Sequence, residues 1–408
     1  MQKSSTPGIS TLGSALVWFG AAVSIAEIEA GSALAPAAAG GRLPAVLSAI
    51  LLGHLLGGTL LFLAALLGSR LRLAAMDCAK SVFGRPGGGF FAALNLLQLL
   101  GWTAVMVAQG AGAAGELLGP SFPFPALCAA IGLLVALWIY IGLRGVGRIN
   151  TIAMTLLFLL TVYLSFFLLD TPDCACFAPP DPMEGPVFWF AFEMSVAMPL
   201  SWLPLAADYT CDARRPLAAC AAAALVYTLV SCWMYGIGLA AAAYGSFSAS
   251  FAALGLTAAP LLVVFFSTFT TTFLDAYSAG ESARSLWSRI PAKPFGVAIV
   301  ALGTLLAALG AMDRYLDFLY LIASVFAPMA AALLVAGFSP RRPSPLRAFL
   351  AWLAGFAAYH LCLGPDSPLS PLLPFSFTSP IGATLPSLLL SALLSLPLPR
   401  RAPPSSSV

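Results

Sequence analysis

Apolar runs long enough to cross a bilayer follow one another almost end to end along the 408 residues, separated by short stretches of charge, proline and glycine. A helix needs about 20 such residues to span a hydrocarbon core roughly 30 Å thick. Read against their breakers, the runs predict twelve spans at 14–36, 44–68, 89–118, 124–144, 150–170, 187–208, 216–245, 251–283, 295–312, 315–338, 346–364 and 372–397. Several exceed 25 residues, which implies tilt, a break or an interfacial extension. The first run is not expected to be a cleavable leader, because it is too long, carries Glu27 and Glu29, and leads straight into the second span. The expected class is therefore an all-α polytopic membrane protein.

Composition agrees. Hydrophobic residues make up 60% of the chain and charged residues 9%, against about 25% charged in a soluble domain. So little charge cannot cover a water-facing surface, so the expected surroundings are a lipid bilayer, with no nucleic acid and no obligate protein partner. Basic residues set the orientation, since short cytoplasmic loops collect Lys and Arg. With the N-terminus inside, seventeen of the nineteen fall on that side: Lys3, the loops after spans two, four, six, eight and ten, and the tail. Only Arg42 and Arg314 fall outside. The expectation is a multi-pass protein of the cell (inner) membrane with both termini cytoplasmic. The segment 70–86 is a candidate interfacial helix. The eight cysteines read as small apolar fillers rather than as disulfides or metal ligands, Cys174 and Cys176 being too close in sequence to pair.

Secondary transporters often repeat five helices in inverted orientation, with the first helix of each repeat interrupted near mid-membrane. Span one carries Ser24-Ile25-Ala26-Glu27-Ile28-Glu29 and then Pro36; span six, five helices later, carries Glu193-Met194-Ser195 and then Pro199 and Pro204. Proline removes a backbone donor, and freed carbonyls that face a cavity can coordinate a cation. The expected organisation is a cytoplasmic N-terminus (1–13), a first five-helix repeat (14–170), an inverted second repeat (187–338), two peripheral helices (346–397) and a cytoplasmic tail (398–408). Ordinary proline kinks are the alternative, but here acids sit beside the breaks.

Ionisable groups inside a span are costly, and Glu27, Glu29, Glu193 and Asp275 are the candidates. On a regular helix Glu27 and Glu29 diverge by about 200°, so one lines a site while the other meets the outer interface. Asp208, Asp212 and Glu281 sit near span ends, where pairing with Arg214, Arg215 or Arg284 is expected. Span eight has five hydroxyls in six positions, Ser267, Thr268, Thr270, Thr271 and Thr272, shortly before Asp275. Hard oxygen ligands of this kind suit a small alkali cation. Span three offers Asn95, Gln98, Trp102 and Gln109, and Trp102 is either a stacking wall or a packing aromatic. His54, within a GxxxG pattern, reads as an interhelical hydrogen-bonder rather than a proton relay. No phosphate loop, zinc pair or nucleophile elbow occurs. Glu27 and Asp275 could pair as catalytic acids, but nothing in their spacing selects a reaction, so the chain is not expected to be an enzyme.

Trp18-Phe19-Gly20-Ala21-Ala22-Val23-Ser24-Ile25-Ala26-Glu27, Gly101-Trp102-Thr103-Ala104-Val105, Ala207-Asp208-Tyr209-Thr210 and Thr270-Thr271-Thr272-Phe273-Leu274-Asp275-Ala276-Tyr277-Ser278 together resemble the nucleobase–cation symporter-1 family. The resemblance runs from about residue 10 to 340 and leans toward the hydroxymethylpyrimidine permeases, relatives of cytosine permease. It implies a leucine-transporter-type fold of two inverted five-helix repeats plus two peripheral helices. It places a base-stacking Trp at Trp102, a substrate contact at Asp275, and sodium at Ala22 and Ile25 carbonyls with Thr270 and Thr271 hydroxyls. Two departures from the hydantoin-transporter pattern, Met106 one turn after Trp102 and Pro199 where a second Trp is expected with Trp202 close by, argue against a hydantoin substrate.

The function expected from all of this is import of a small pyrimidine by cation symport, with no cofactor. Glu27, Trp102, Glu193, Trp202 and Asp275 are the substrate-binding candidates. A carboxylate accepts from an exocyclic amine and a protonated carboxyl donates to the adjacent ring nitrogen. That suits 4-amino-5-hydroxymethyl-2-methylpyrimidine, a thiamine precursor, with cytosine or another nucleobase as the alternative. The hydroxyl cluster leans toward sodium as the coupling ion, and the intramembrane acids keep H+ open.

Overall fold

The computed structural model describes residues 8–119, 121–141, 184–242, 259–310, 315–372 and 377–397, with scattered positions between 155 and 166. Most of the expected fifth span, the loop holding Cys174 and Cys176, Lys3, Arg144, Arg148, Arg314, the start of span eight and the tail beyond 397 lie outside the described residues. The described residues are helical and contain no strand.

Helix α1 (Thr11–Ala22) opens at Ser10, whose hydroxyl accepts the Gly13 N–H at 3.0 Å. The helix stops at Val23 (φ −80°, ψ 84°), Ser24 is extended (φ −137°, ψ 153°), and α2 (Ile25–Ala33) resumes at 49° to α1. The restart is encoded locally: Ser24 caps α2 by accepting the Glu27 N–H at 3.2 Å, the first half of a Ser-x-x-Glu capping pattern. The expected break in span one is therefore present and lies at the serine. Pro36 falls in the first turn of the short α3 (Ala35–Ala38), where its missing N–H is harmless.

Then follow α4 (Leu43–Leu71), α5 (Ala75–Leu118), α6 (Phe124–Ile141) and α7 (Glu184–Trp202). Gly84 (φ 72°) divides α5, in a backbone region that glycine alone enters freely. Residues 75–83 are thus a separate short helix within the 70–86 segment, whose first residues belong to α4. Helix α7 runs through Pro199 and tightens at Leu203–Tyr209 into a 3-10 helix with Pro204 in its first turn. Span six is therefore interrupted by a change of helix type rather than by a gap. The chain continues with α8 (Pro216–Ala241), α9 (Ala259–Leu286), α10 (Ala292–Ala308), α11 (Tyr315–Phe338), α12 (Pro345–Leu363) and α13 (Thr384–Ser395).

Among the described residues, six helices are long and apolar enough to cross a membrane, and seven if α1 and α2 count as one bent span; three apolar helices are shorter. The last expected span shrinks most. Short 3-10 turns at Gly364–Asp366 and Ser370–Leu372 precede α13, which has only 12 residues, about 18 Å of helix. Pro380 and left-handed Gly382 (φ 73°) stop the helix from starting earlier.

Packing forms one core. Helix α4 lies against α7 and α8, α5 against α9 and α10, and α1 with α2 against α8, while α11, α12 and α13 pack together. Helices α2 and α8 cross closely because Gly31 and Gly238 lie at the contact. A Cβ on Gly31 would stand 2.3 Å from the Tyr235 carbonyl oxygen, and one on Gly238 2.0 Å from that of Ile28. Five stretches that the charge pattern places on one side meet at one end of the bundle. Arg214 donates to the Gly8 carbonyl at 2.7 Å, Arg72 to the Cys211 carbonyl at 3.1 Å, and Lys80 to the Ser285 carbonyl. Gly84 sits beside Pro345.

Candidate functional site

The break between α1 and α2 opens onto a cavity walled by α5, the end of α7 with its 3-10 extension, and α9. Ser24, Ala26 and Glu27 come from the break, Trp102 and Met106 from α5, and Met198, Ser201, Trp202 and Leu205 from the α7 region; Thr271 and Asp275 come from α9. Four of the five substrate-binding candidates, Glu27, Trp102, Trp202 and Asp275, thus share one cavity. About 310 Å³ of space between atoms lies within it, its mouth included, but the clear room inside is water-sized. A ring the size of a pyrimidine enters only when wall side chains turn aside, so this is a contracted state.

The two tryptophans are held by other aromatics. Trp102 is flanked edge-on by Tyr315 and Phe318, ring centroids 6.1 and 5.5 Å away. Trp202 meets Trp18 at 5.8 Å and Tyr227 at 6.3 Å.

The acids differ in what holds them. Glu27 is 1% exposed, and both its carboxyl oxygens are engaged: Tyr227 donates to Oε1 at 2.7 Å, and Ser231 Oγ lies 2.6 Å from Oε2. Asp275 is 3% exposed, and no hydrogen-bond partner reaches its carboxyl among the described residues. A buried polar group without a partner costs free energy, and here that group faces a cavity. Asp275 is the one acid in the wall left free for a ligand.

Residues from the break and from α9 also supply hard oxygens. Ser267 Oγ accepts the Ile25 N–H at 3.1 Å, fastening the start of α2 to α9. The Thr270 and Thr271 hydroxyls both donate back to the Ser267 carbonyl, at 3.0 and 2.8 Å, and Thr271 also lies 3.2 Å from Met106 Sδ. The Ala22 carbonyl accepts the Ser24 N–H at 3.0 Å across the break. The oxygens that the resemblance assigns to sodium thus come from the break and from α9. No group of three or more His, Cys, Asp or Glu suited to a metal occurs among the described residues.

Glu193 is not brought to the cavity. It lies 6% exposed on α7, where the N–H of Thr384 donates to its Oε1 at 2.9 Å and the Thr384 hydroxyl to its Oε2 at 2.5 Å. A carboxylate at a helix N-terminus meets unpaired N–H groups and the positive end of the dipole, so Glu193 pins α13 to α7. Asp208 also departs from expectation. Rather than pairing with an arginine, it accepts the Ala75 N–H at 2.9 Å, because Ala74, at the helix start, has no side chain that can cap. Glu281 and Arg284 do pair, at 3.1 Å. Glu29, two residues from Glu27, points elsewhere and is bonded by Gln109. His54 is an interhelical hydrogen-bonder, joining Ser231 of α8 at 2.6 Å.

The residues behind Glu27 escape sequence reasoning. Tyr227 and Ser231 are one helical turn apart in a mostly apolar span, a polar pair on one face, and that spacing was the available signal. Met198 and Ser201 carried none, since methionine and serine are ordinary in membrane helices.

No protein-family model matches the chain, and no curated protein does. Solved structures do. The closed, bromovinylhydantoin-bound form of Mhp1, a nucleobase-cation-symport-1 family transporter, is similar with a TM-score of 0.74 at 19% identity, over 96% of this chain and 92% of that one. A Na+-coupled sialic acid symporter in a substrate-bound outward-open state follows at 0.65 and 13%, over 95% and 89%. A manganese transporter of Eremococcus coleocola is similar at 0.55 and 14%, over 94% and 85%. At such identities the likeness is one of fold. The chain is an all-α polytopic membrane protein of the leucine-transporter type, two inverted five-helix repeats with two peripheral helices.

Proposed function

We propose that this protein is a secondary active transporter, not an enzyme, and that it imports a small flat pyrimidine by cation symport through alternating access. The observation that carries the reading is Asp275, an unpartnered buried carboxyl that shares with two tryptophans a contracted cavity at the interruption of α1 and α2. A ring stacked on Trp102 and Trp202 presents its edge to that carboxyl. An aminopyrimidine edge pairs an exocyclic N–H2 donor with a ring nitrogen, and the Asp275 carboxylate can accept from the amine and, when the ring nitrogen is protonated, from that nitrogen as well. This chemistry favours 4-amino-5-hydroxymethyl-2-methylpyrimidine and cytosine over hydantoins, whose edges alternate carbonyl and N–H. The similarity to Mhp1, a transporter described with a hydantoin derivative bound, supports transport and leaves the base to be chosen by the cavity.

Sodium is the coupling ion favoured by the oxygen set, held by the Ala22 and Ile25 carbonyls and the Thr270 and Thr271 hydroxyls. The similar sialic acid symporter is Na+-coupled. By the basic-residue rule the end of the bundle where Arg72, Lys80 and Arg214 gather is the cytoplasmic one, which supports a reading as a cell-membrane protein with both termini inside.

Counterflow in proteoliposomes tests the reading. Vesicles preloaded with unlabelled hydroxymethylpyrimidine are expected to accumulate the labelled compound transiently, faster with sodium than with choline, and less with hydantoin as the counter-substrate. A sensor binds without exchange. Absence of exchange for every aminopyrimidine under both sodium and proton gradients would refute the proposal.

A further inference from the structure

One helical turn from Trp102 on α5, Gln98 reaches across to the end of span six. Its Nε2 donates to the Ser201 carbonyl at 2.7 Å and to Asn95 Oδ1 at 3.3 Å, and Asn95 Nδ2 donates to Ser282 Oγ on α9 at 2.8 Å. All four residues are buried. The relay therefore joins the three helices that carry Trp102, Trp202 and Asp275, yet neither Gln98 nor Asn95 lines the cavity.

The sequence explains this tie. Where α7 tightens into a 3-10 turn, a carbonyl looks to the N–H three residues on. For Ser201 that residue is Pro204, which has none, and the Gln98 amide takes its place. A carbonyl can only accept, so the end of the side chain at Ser201 is the N–H2. That orientation leaves Gln98 Oε1 buried with no hydrogen-bond partner among the described residues. The contracted form thus gains one well-formed bond and bears one bare acceptor, which is costly. Such a tie is weak enough to part, and parting it brings water to both groups.

We propose that Gln98 is a positioning residue whose bond to Ser201 holds the Trp102 and Trp202 walls together in the contracted cavity and is released when a ring enters. Ring entry needs the walls apart. Gln98 lies one turn from one wall and Ser201 adjoins the other, so separating the walls stretches this bond. Asn95, fixed on α9 by Ser282, keeps the amide aimed. Tyr209, which donates to the Leu274 carbonyl at 2.7 Å, joins span six to α9 by a second contact, so loss of Gln98 loosens the contracted form without dismantling it. The role in transport rests on the reading above. In alternating access a loaded carrier exchanges substrate without ever crossing unloaded, whereas net uptake requires the unloaded carrier to return. A tie made only in the contracted form, which has no room for a ring, therefore serves the return step and not exchange.

The test compares the full-length wild type with Gln98→Met, which keeps the length of the side chain and removes its amide. Counterflow of labelled hydroxymethylpyrimidine in proteoliposomes is expected to stay within about twofold of wild type, while net uptake under an inward sodium gradient falls roughly two- to tenfold, the equilibrium shift of one hydrogen bond. With the contracted form less favoured, the dissociation constant for the same compound in nanodiscs is expected to fall by a similar factor, opposite in sign to damage. Without substrate, amide hydrogen exchange over residues 199–209, the end of α7 and its 3-10 extension, is expected to speed. Counterflow and net uptake lost together, a raised dissociation constant, or unchanged exchange over 199–209 would overturn the proposal. Asn95→Ala leaves Gln98 in place but removes the acceptor that aims it, and is expected to repeat the split to a smaller degree, so the test does not depend on one variant folding. If the wild type exchanges no aminopyrimidine, the transport reading fails, and hydrogen exchange over 199–209 alone decides whether the tie holds span six.

Discussion

Replacing Asp275 by asparagine separates a ligand-binding role from a structural one, because the two predict opposite signs. The carboxyl is 3% exposed and has no hydrogen-bond partner among the described residues, so the fold gains nothing from its charge and bears the cost of burying it. Asparagine has nearly the same shape and no charge. Unfolding stability of the Asp275→Asn protein should therefore be unchanged or higher. Ligand binding should move the other way. A hydrogen bond to a charged group contributes about 1.5–3 kcal/mol, and each 1.4 kcal/mol is about tenfold in affinity, so the dissociation constant for an aminopyrimidine should rise roughly ten- to a hundredfold. Both quantities come from one sample: thermal unfolding in nanodiscs gives the first, and quenching of the cavity tryptophans on titration with hydroxymethylpyrimidine or cytosine gives the second. A variant that melts earlier and binds as tightly as the wild type would refute the assignment, and would mean that Asp275 is held by protein groups when the cavity is open.

Three further substitutions test the rest of the site. Trp102→Ala should weaken pyrimidine binding by about 1–3 kcal/mol, the usual contribution of an aromatic platform under a base, while Trp102→Phe recovers part of it; titration by calorimetry decides. Thr271→Val keeps the shape and removes one oxygen, and should raise the sodium concentration needed to stimulate uptake by roughly tenfold or more while leaving sodium-free binding in place. Thr384→Val removes the hydroxyl that donates to Glu193 Oε2 and should cost about 1–3 kcal/mol of stability, with unchanged substrate affinity; a loss of affinity instead would restore Glu193 to the site.

Periodicity and charge made the class legible, because a lipid-facing helix announces itself by length and by the absence of charge. The break in span one was also visible, although its cause was misplaced. Prolines drew attention to Pro36, 12 residues past the break, while the informative pattern was Ser24-Ile25-Ala26-Glu27. A capping box in the middle of an apolar run marks a helix restarting inside the membrane, and its serine caps α2 as that pattern requires. The glutamate then departs from the pattern, since its oxygens go to Tyr227 and Ser231 rather than back to Ser24. Glu193 shows the limit of the approach. Burial in a span was legible, but its partner, Thr384, is 191 residues away, at a helix start that exists only because Pro380 and Gly382 shorten the last span. The partners of buried acids are tertiary facts, and they decide which acid can meet a ligand.

Three buried carboxyls of one chemical kind thus take three roles, and their partners assign them. Glu193 has two bonds to a helix start and is committed to the fold. Glu27 has two bonds to α8 and can meet a ligand only beside or in place of Tyr227 and Ser231. Asp275 has no such competition, so a ligand donor gains a bond there without another being broken. The walls of the cavity contain two acids and neither lysine, arginine nor histidine. A carboxylate ligand such as sialic acid would bring its negative charge beside these acids with no base to meet it, at a cost that water-free surroundings enlarge. A neutral ring that turns hydrogen-bond donors toward Asp275 meets no such penalty, and a protonated one is drawn in. The selectivity of this cavity therefore follows from which acid is left unpaired, and shared fold with an anion symporter does not carry shared substrate.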